Sequence, residues 1–321
     1  MATIQEVAQH AGVSVGSVSN YLNGQKLRAQ NAEKIKQAIE ELGYQENFFA
    51  KSLKANHSMT LGLLVHNLQS QFSAGVVGAI EKVCDEHDYG LLITSHNGDP
   101  VRAQAKVAFL ESRGVDGLIT FETEDHWLTT KKNIGVSIVN PAQQLFPSVL
   151  TNERESVAQV ITKMIAVGHR KIGIIASPQS DYTAQERLKG YYDAMAQAEL
   201  PVASTWVGFG DYSRQSGFQE MTKLLAAGVT AVFVCNYNMS LGALRAIREA
   251  DIPIGTELSY ASFGYFDASE LFTPKLTIIR QPLNEMGRQA TLMVLAQLKG
   301  EQPVTVTLQN DILWQESIQP I

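Results

Sequence analysis

The chain is poor in cysteine. Cys84 and Cys235 are its two thiols in 321 residues, far apart and each inside an apolar stretch. Such a pair argues against a disulfide scaffold or a thiolate metal site, and reads as two buried thiols in a reducing cytoplasm. Long apolar runs are missing too: none approaches the ~20 residues of a membrane-spanning helix. The N-terminus has no basic segment followed by an apolar one, so no secretion signal and no membrane partner are expected. No glycine-rich phosphate loop, Gly-x-Ser-x-Gly elbow or metal-spaced His/Asp set occurs, which argues against an enzyme and leaves no cofactor to expect. Positive charge is scarce: 26 Lys+Arg face 32 Asp+Glu, a net of −6, unlike a protein that coats nucleic acid indiscriminately.

What is present begins at residue 3. Ile4, Val7, Ala8 and Ala11 recur at helical spacing and make one apolar face. Gly12 supplies a turn, because glycine reaches backbone angles that cost other residues energy. Val13 can plug the space behind that turn, and Ser14 can cap a second helix whose inner face is Val18 and Leu22. Helix, glycine turn, helix is the arrangement that reads DNA. The outer face of the second helix carries Val15, Gly16, Ser17, Ser19 and Asn20, small or polar and free of carboxylates, as a helix lying in a major groove requires. A third apolar stripe, Ala32, Ile35, Ala38, Ile39 and Leu42, predicts a helix over 31–42 that Gly43 ends. The head is only faintly basic: six Lys/Arg against five Asp/Glu over residues 1–57. Polar and backbone contacts to phosphate, doubled by dimerisation, must then contribute much of its grip.

These residues, with Thr3-Ile4, Val7-Ala8, Ala11-Gly12-Val13-Ser14, Val18-Ser19 and Leu22-Asn23 in order, resemble the lac repressor (LacI/GalR) family of bacterial transcription regulators. Ile39-Glu40-Glu41-Leu42-Gly43-Tyr44 and Ala50-Lys51-Ser52-Leu53 extend the match. The resemblance implies a regulator that grips pseudo-palindromic double-stranded operator DNA as a homodimer and answers to a small molecule. By position it assigns base edges to Val15, Gly16 and Asn20, and contacts nearer the backbone to Ser14, Ser17, Ser19, Tyr21 and Asn23. It also implies a hinge helix within 46–59, in which Leu53 wedges between base pairs of the minor groove with Lys54 beside it for a phosphate. One departure lies here: the family's Pro-Asn-Ala near the hinge start is Glu46-Asn47-Phe48-Phe49 in this chain.

From Thr60 the pattern changes. Short apolar runs at 61–65, 90–94, 115–121, 134–139, 172–176 and 231–235 alternate with helical segments near 74–87, 100–113, 153–167, 183–198, 213–227, 239–249 and 283–298. Continuous apolar strands separated by helices mean parallel sheets covered on both faces. There are too many units for one such sheet. The expected fold is therefore an all-α helix-turn-helix head (1–45), a linker (46–59) and an α/β body of two parallel-sheet lobes (60–321). The resemblance implies a body like the type I periplasmic binding proteins, with lobe 1 at about 60–150 and 280–305 and lobe 2 at about 151–279 and 306–321. Helix 74–87 is the candidate dimer interface.

In such sheets ligands bind beyond the carboxyl ends of the strands. The loops there hold Asn67, Gln71, Phe72, Asn97, Tyr212, Asn236, Tyr237, Phe263 and Tyr265. Amides can bond the hydroxyls of a sugar, and aromatic rings can stack on its C–H faces. Arg187 stands out, because the segment Glu186-Arg187-Leu188-Lys189-Gly190-Tyr191 matches the family's Arg-x-x-Gly-Tyr/Phe helix start, whose arginine bonds the effector. A guanidinium there can fork onto two oxygens of a sugar, carboxylate or phosphate, or else pair with a neighbouring carboxylate. Two family aspartates are replaced, in Asn236-Tyr237 and in Ser262-Phe263-Gly264. Their loss tilts the expected effector toward a phosphorylated sugar over a neutral one. The expected function is a repressor of a carbohydrate-utilisation operon, released by a sugar or sugar-phosphate effector. The alternatives are a co-repressor mode, in which ligand tightens DNA binding, and a sugar-binding protein without a regulatory role.

Overall fold

The computed structural model describes residues 2–22, 25–44, 57–121, 134–141 and 146–321, with backbone alone at 267–268. It divides into two compact units, residues 1–58 and 59–321.

In the first unit, α1 (Ile4–Ala11), α2 (Val15–Leu22) and α3 (Ala29–Leu42) enclose Val7, Ala8, Ala11, Val18, Ile35 and Ala38. Local chemistry fixes the ends of these helices. Thr3 and Glu6 exchange side-chain and backbone bonds as a capping box at the start of α1. Gly12 ends that helix at φ 65°, and Gly43 ends α3 at φ 57°, both in the left-handed region where a side chain is strained. Ser14 Oγ accepts the amide of Ser17 at 3.1 Å and so caps α2. Val13 packs against the core, and His10 of α1 reaches Glu41 of α3 at 2.7 Å. That contact and Gln37 hold the Glu41 carboxyl below its ordinary pKa.

The second unit has two sheets. The first runs β2-β1-β3-β4-β5-β11: β1 (Thr60–Val65), β2 (Gly90–Ser95), β3 (Gly117–Thr120), β4 (Gly135–Ile138), β5 (Ser148–Thr151) and β11 (Val306–Leu308). Every pairing in it is parallel. The second runs β7-β6-β8-β9-β10-β12: β6 (Ile172–Ala176), β7 (Val207–Phe209), β8 (Ala231–Val234), β9 (Ser259–Phe263), β10 (Thr277–Arg280) and β12 (Asp311–Leu313). It is parallel except that β12 runs against β10. Helices α4 (Gln71–Glu86), α5 (Pro100–Ser112) and α10 (Leu283–Leu298) serve the first sheet. Helices α6 (Glu153–Ala166), α7 (Tyr182–Gln197), α8 (Arg214–Ala226) and α9 (Tyr237–Glu249) serve the second. The central strands β6 and β8 are buried end to end, and β1 from Leu61 onward, as sheets covered on both faces require.

The chain passes between the sheets three times: after β5, after β10 and after β11. The last position corrects the expected boundary. Residues 306–308 pair with 149–151 in the first sheet, so the third crossing lies at 309–310 and not near 305. Three residues at a sheet edge carry too little hydrophobic pattern to reveal their partner.

Packing of α8 against α9 in the second lobe depends on glycine at two contacts. A Cβ on Gly242 of α9 would sit 1.9 Å from the Arg214 carbonyl oxygen, and one on Gly217 of α8 would sit 2.1 Å from that of Met239. The α8–α9 pair is therefore closer than any side-chain-bearing residue allows at those points. This packing fixes the loop at Asn236–Tyr237 against the second sheet.

Candidate DNA-reading helix and effector site

On α2, Val15 is 43% exposed although it is apolar, and Gly16 and Asn20 are exposed beside it. Ser17 and Ser19 are partly covered. Ser14 spends its hydroxyl on the cap and on Ser17 Oγ at 2.9 Å. The carbonyl of Asn20 accepts the amide of Gln25 at 2.9 Å as the chain leaves the helix. Thus Ser14 to Asn20 share one short helix, with Val15, Gly16 and Asn20 on its open side. Asn23, Leu53 and Lys54 lie outside the described residues, as does most of the segment 46–59.

In the body, Arg187 comes from the first half of α7, at the carboxyl ends of β6 and β8. Its surroundings are built by the second sheet. Nε donates to Glu153 Oε2 at 2.6 Å, and Nη1 donates to the Cys235 carbonyl, also at 2.6 Å. The guanidinium carbon stands 3.6 Å from the centre of the Phe263 ring, a cation–π stack. Among the described residues Nη2 makes no bond, so one edge of the fork is uncommitted. Both partners of the ion pair are buried, Arg187 at 8% exposure and Glu153 at 2%. Burial works against the charge on Arg187, but the attraction and hydrogen bond of Glu153 prevail and hold its pKa above the ordinary guanidinium value. Beside it, Tyr212 donates its hydroxyl to Asp181, and burial with that carboxylate raises the phenol's pKa. Tyr212 holds this position with φ at 67°, a conformation rare for an aromatic residue. Ser177 is fully buried after β6.

The other expected ligand residues divide into two groups. On the second sheet, Asn236 caps α9 by accepting the amides of Asn238 and Met239. Tyr237 packs on Phe266 at 5.1 Å, and Tyr265 donates to Glu270 at 2.8 Å. Phe263 is the floor under Arg187 and is 1% exposed. On the first sheet, Asn67 Oδ1 accepts the amides of Gln69 and Ser70, and Phe72 stacks edge-on against Phe121 at 5.6 Å. Gln71 is exposed in the first turn of α4, and Asn97 is exposed with φ at 54°. So Arg187, Tyr212, Asn236, Tyr237, Phe263 and Tyr265 gather around the strand ends of one sheet. Asn67, Gln71, Phe72 and Asn97 belong to the other.

Sequence reading missed Glu153 and Asp181. A glutamate in the first turn of a helix usually complements the helix dipole, and an aspartate just before one reads as a cap. Neither residue type at such a position signals a buried partner for an arginine or a tyrosine. Among the described residues no cluster of His, Cys, Asp and Glu could hold a metal ion, and no helix is long and apolar enough to cross a membrane.

Comparison with known proteins matches this geometry. Residues 3–47 fit the family model of the bacterial regulatory proteins of the lacI family, and residues 161–314 fit that of the periplasmic binding protein-like domain. The HTH-type transcriptional repressor PurR of Proteus mirabilis (strain HI4320) is 30% identical, over 99% of this chain and 97% of its own. The lac repressor dimer, solved bound to operator and the anti-inducer ONPF, superposes with a TM-score of 0.88 at 25% identity, over 99% of both chains. The transcriptional regulator CelR in complex with cellobiose superposes with a TM-score of 0.74 at 26% identity, over 99% of this chain and 100% of its own.

Proposed function

The chain belongs to the LacI family of DNA-binding transcriptional repressors, and from that premise we propose that it represses a carbohydrate-utilisation operon and is released by a neutral sugar. The observation that carries the ligand class is the Arg187–Glu153 pair stacked on Phe263. A lone buried arginine would favour an anion. Here the guanidinium is already neutralised, and a second carboxylate, Asp181, stands beside it on Tyr212. A phosphorylated sugar would bring two further negative charges into a site of no net positive charge. Hydroxyl groups, by contrast, can take the uncommitted Nη2 edge and share the carboxylates as acceptors. The cellobiose complex of CelR, a regulator of the same fold, supports the sugar class.

On DNA, the proposal places α2 of each protomer of a homodimer in successive major grooves of a pseudo-palindromic operator. The half-sites would lie about one helical turn, ~34–36 Å, or a multiple of it apart. The lac repressor dimer on its operator supports this arrangement. Leu53 wedges in the minor groove, and Leu53→Ala lowers operator affinity and bending while sugar binding persists. The ligand releases DNA only through its differential affinity for the two lobe arrangements.

The test is calorimetry of the purified protein against neutral sugars and their phosphates, with Arg187→Ala in parallel, followed by operator titration with the tightest ligand. A neutral sugar that binds the parent, fails with Arg187→Ala and weakens operator binding supports the reading. A phosphorylated sugar that binds more tightly in an Arg187-dependent way overturns the ligand class. Tightened operator binding makes the ligand a co-repressor.

A further inference from the structure

One carboxylate joins the site to two of the three places where the chain crosses between lobes, and the residue beside it reaches the third. Glu153 is the first residue of α6, directly after the first crossing. Its Oε2 accepts from Arg187 Nε at 2.6 Å. Its Oε1 accepts from the hydroxyl of Thr151, the last residue of β5 in the first sheet, at 2.5 Å. The same oxygen accepts from Gln281 Nε2, inside the second crossing, at 3.3 Å. The third crossing is tied one residue away. Asn152 Oδ1 accepts the Asn310 amide, and Asn152 Nδ2 donates to Gln309 Oε1, both at 2.7 Å. Ser156, one turn into α6, accepts from Asn310 Nδ2 at 3.2 Å and donates to the Asn152 carbonyl at 2.7 Å.

We propose that Glu153 is the positioning residue that couples the arginine of the effector site to the interlobe crossings. This rests on the ligand-gated reading above. Thr151 belongs to the first lobe, Arg187 to the second, and Gln281 to the strap leading into α10 of the first. Crossing segments are where a hinge absorbs its change in backbone angle. If the lobes turn, Thr151 and Gln281 move relative to Arg187, and one short side chain cannot keep all three bonds. Giving up the Thr151 or the Arg187 bond leaves a buried polar atom unpaired, so the carboxylate favours one lobe angle while Arg187 keeps its present orientation. A ligand that takes the open Nη2 edge and reorients the guanidinium moves that preference. A ligand bound elsewhere on the second sheet, without touching Arg187, does not.

The experiment uses the full chain with Glu153→Gln, Thr151→Val and Gln281→Leu. Thr151→Val removes one hydroxyl at nearly constant volume and removes none of the bonds that Arg187 makes, so it tests the coupling even where Glu153→Gln disturbs folding. The first arm is ligand-free hydrogen exchange at the amides of Asn152, Leu283 and Asn310, one in each crossing, with β8 as internal control. Loss of one hydrogen bond from a shared network speeds exchange about tenfold at all three crossings, not only at Asn152 beside the altered bond. The second arm titrates operator DNA with and without glucose, galactose, ribose and cellobiose. Thr151→Val is expected to keep its affinity for whichever of these acts on the parent and to lose about fivefold in the operator response.

Exchange confined to Asn152, with a sugar response equal to the parent's, overturns the coupling and leaves the ligand-gated reading standing. A parent whose operator affinity none of the four sugars shifts removes support from that reading. The exchange arm then decides the coupling alone: acceleration at all three crossings supports it, and acceleration at Asn152 only refutes it.

Discussion

Replacing Arg187 by methionine removes the charge while keeping an unbranched side chain over Phe263. Glu153 then stays in place at 2% exposure, with the donors Thr151 and Gln281 but without its counter-ion. Breaking a buried ion pair by removing one partner costs about 3–5 kcal/mol, because the remaining ion keeps its desolvation penalty and loses its compensation. Two further losses act in the same direction. The Cys235 carbonyl gives up the donor it had at 2.6 Å, at a cost of about 1–3 kcal/mol if water cannot reach it. The stack on the Phe263 ring, at 3.6 Å, is exchanged for a weaker sulfur contact. These effects overlap, since all arise from the same guanidinium, so the expected total stays at about 3–5 kcal/mol. In urea, with a slope of about 3 kcal/mol/M, that lowers the midpoint by about 1–1.7 M. The decisive control is the double replacement Arg187→Met with Glu153→Leu. It removes both buried ions and should recover stability to within about 1 kcal/mol of the parent or beyond it. The assay is equilibrium unfolding by circular dichroism on the parent, both single variants and the double. A single variant less than about 1 kcal/mol below the parent, or a double no better than the single, would refute the argument that the pair is a desolvated, mutually dependent unit.

On α2, Asn20→Ala should relax base preference at one operator position by ~1–3 kcal/mol and leave the head folded. Selection on a randomised half-site reads this directly, and unchanged selectivity removes Asn20 from the reading set. His169 is buried between Thr230 Oγ1 at 2.9 Å, Ser259 Oγ at 2.8 Å and the Gln319 carbonyl at 3.1 Å. Burial pushes its pKa below the ordinary 6.5, against the opposing bond from Gln319. The unfolded chain therefore takes up a proton before the folded one does. Stability from this group is complete above about 6.5 and falls as pH drops through and below that value. Urea midpoints from pH 7.5 downward should fall less steeply in His169→Gln than in the parent, and parallel slopes would oppose the assignment. Burial also pushes the Cys84 thiol up to about 11 and that of Cys235 to about 12. Iodoacetamide at pH 8 should label neither in the native protein and both in denaturant.

The head was legible because its chemistry is local. Thr3 with Glu6, Gly12, Ser14 and Gly43 each fix a helix end within four residues of themselves. The central strands were legible because burial on both faces writes them as unbroken apolar runs. The strands 148–151, 207–209, 259–263, 277–280, 306–308 and 311–313 were not, because they are three to five residues long and several lie at edges where the apolar pattern lapses. That is also why the third crossing was misplaced.

The site shows the same division. From the sequence, Arg187 stands in a recognisable helix start, and aromatic and amide residues populate the loops beyond the strands. Sequence alone therefore determined the kind of protein, the open face of α2 with Val15, Gly16 and Asn20, and the arginine to examine. It did not determine the charge that the arginine offers to a ligand. That was decided by Glu153, 34 residues away, which packs to 2.6 Å from Nε only once α6 and α7 lie side by side on the second sheet. Residue types and their spacing along the chain fix local caps and apolar faces. The net charge and free donors of a buried site depend on which distant groups the fold brings within a few ångströms, where Coulomb and desolvation energies change steeply with distance and burial.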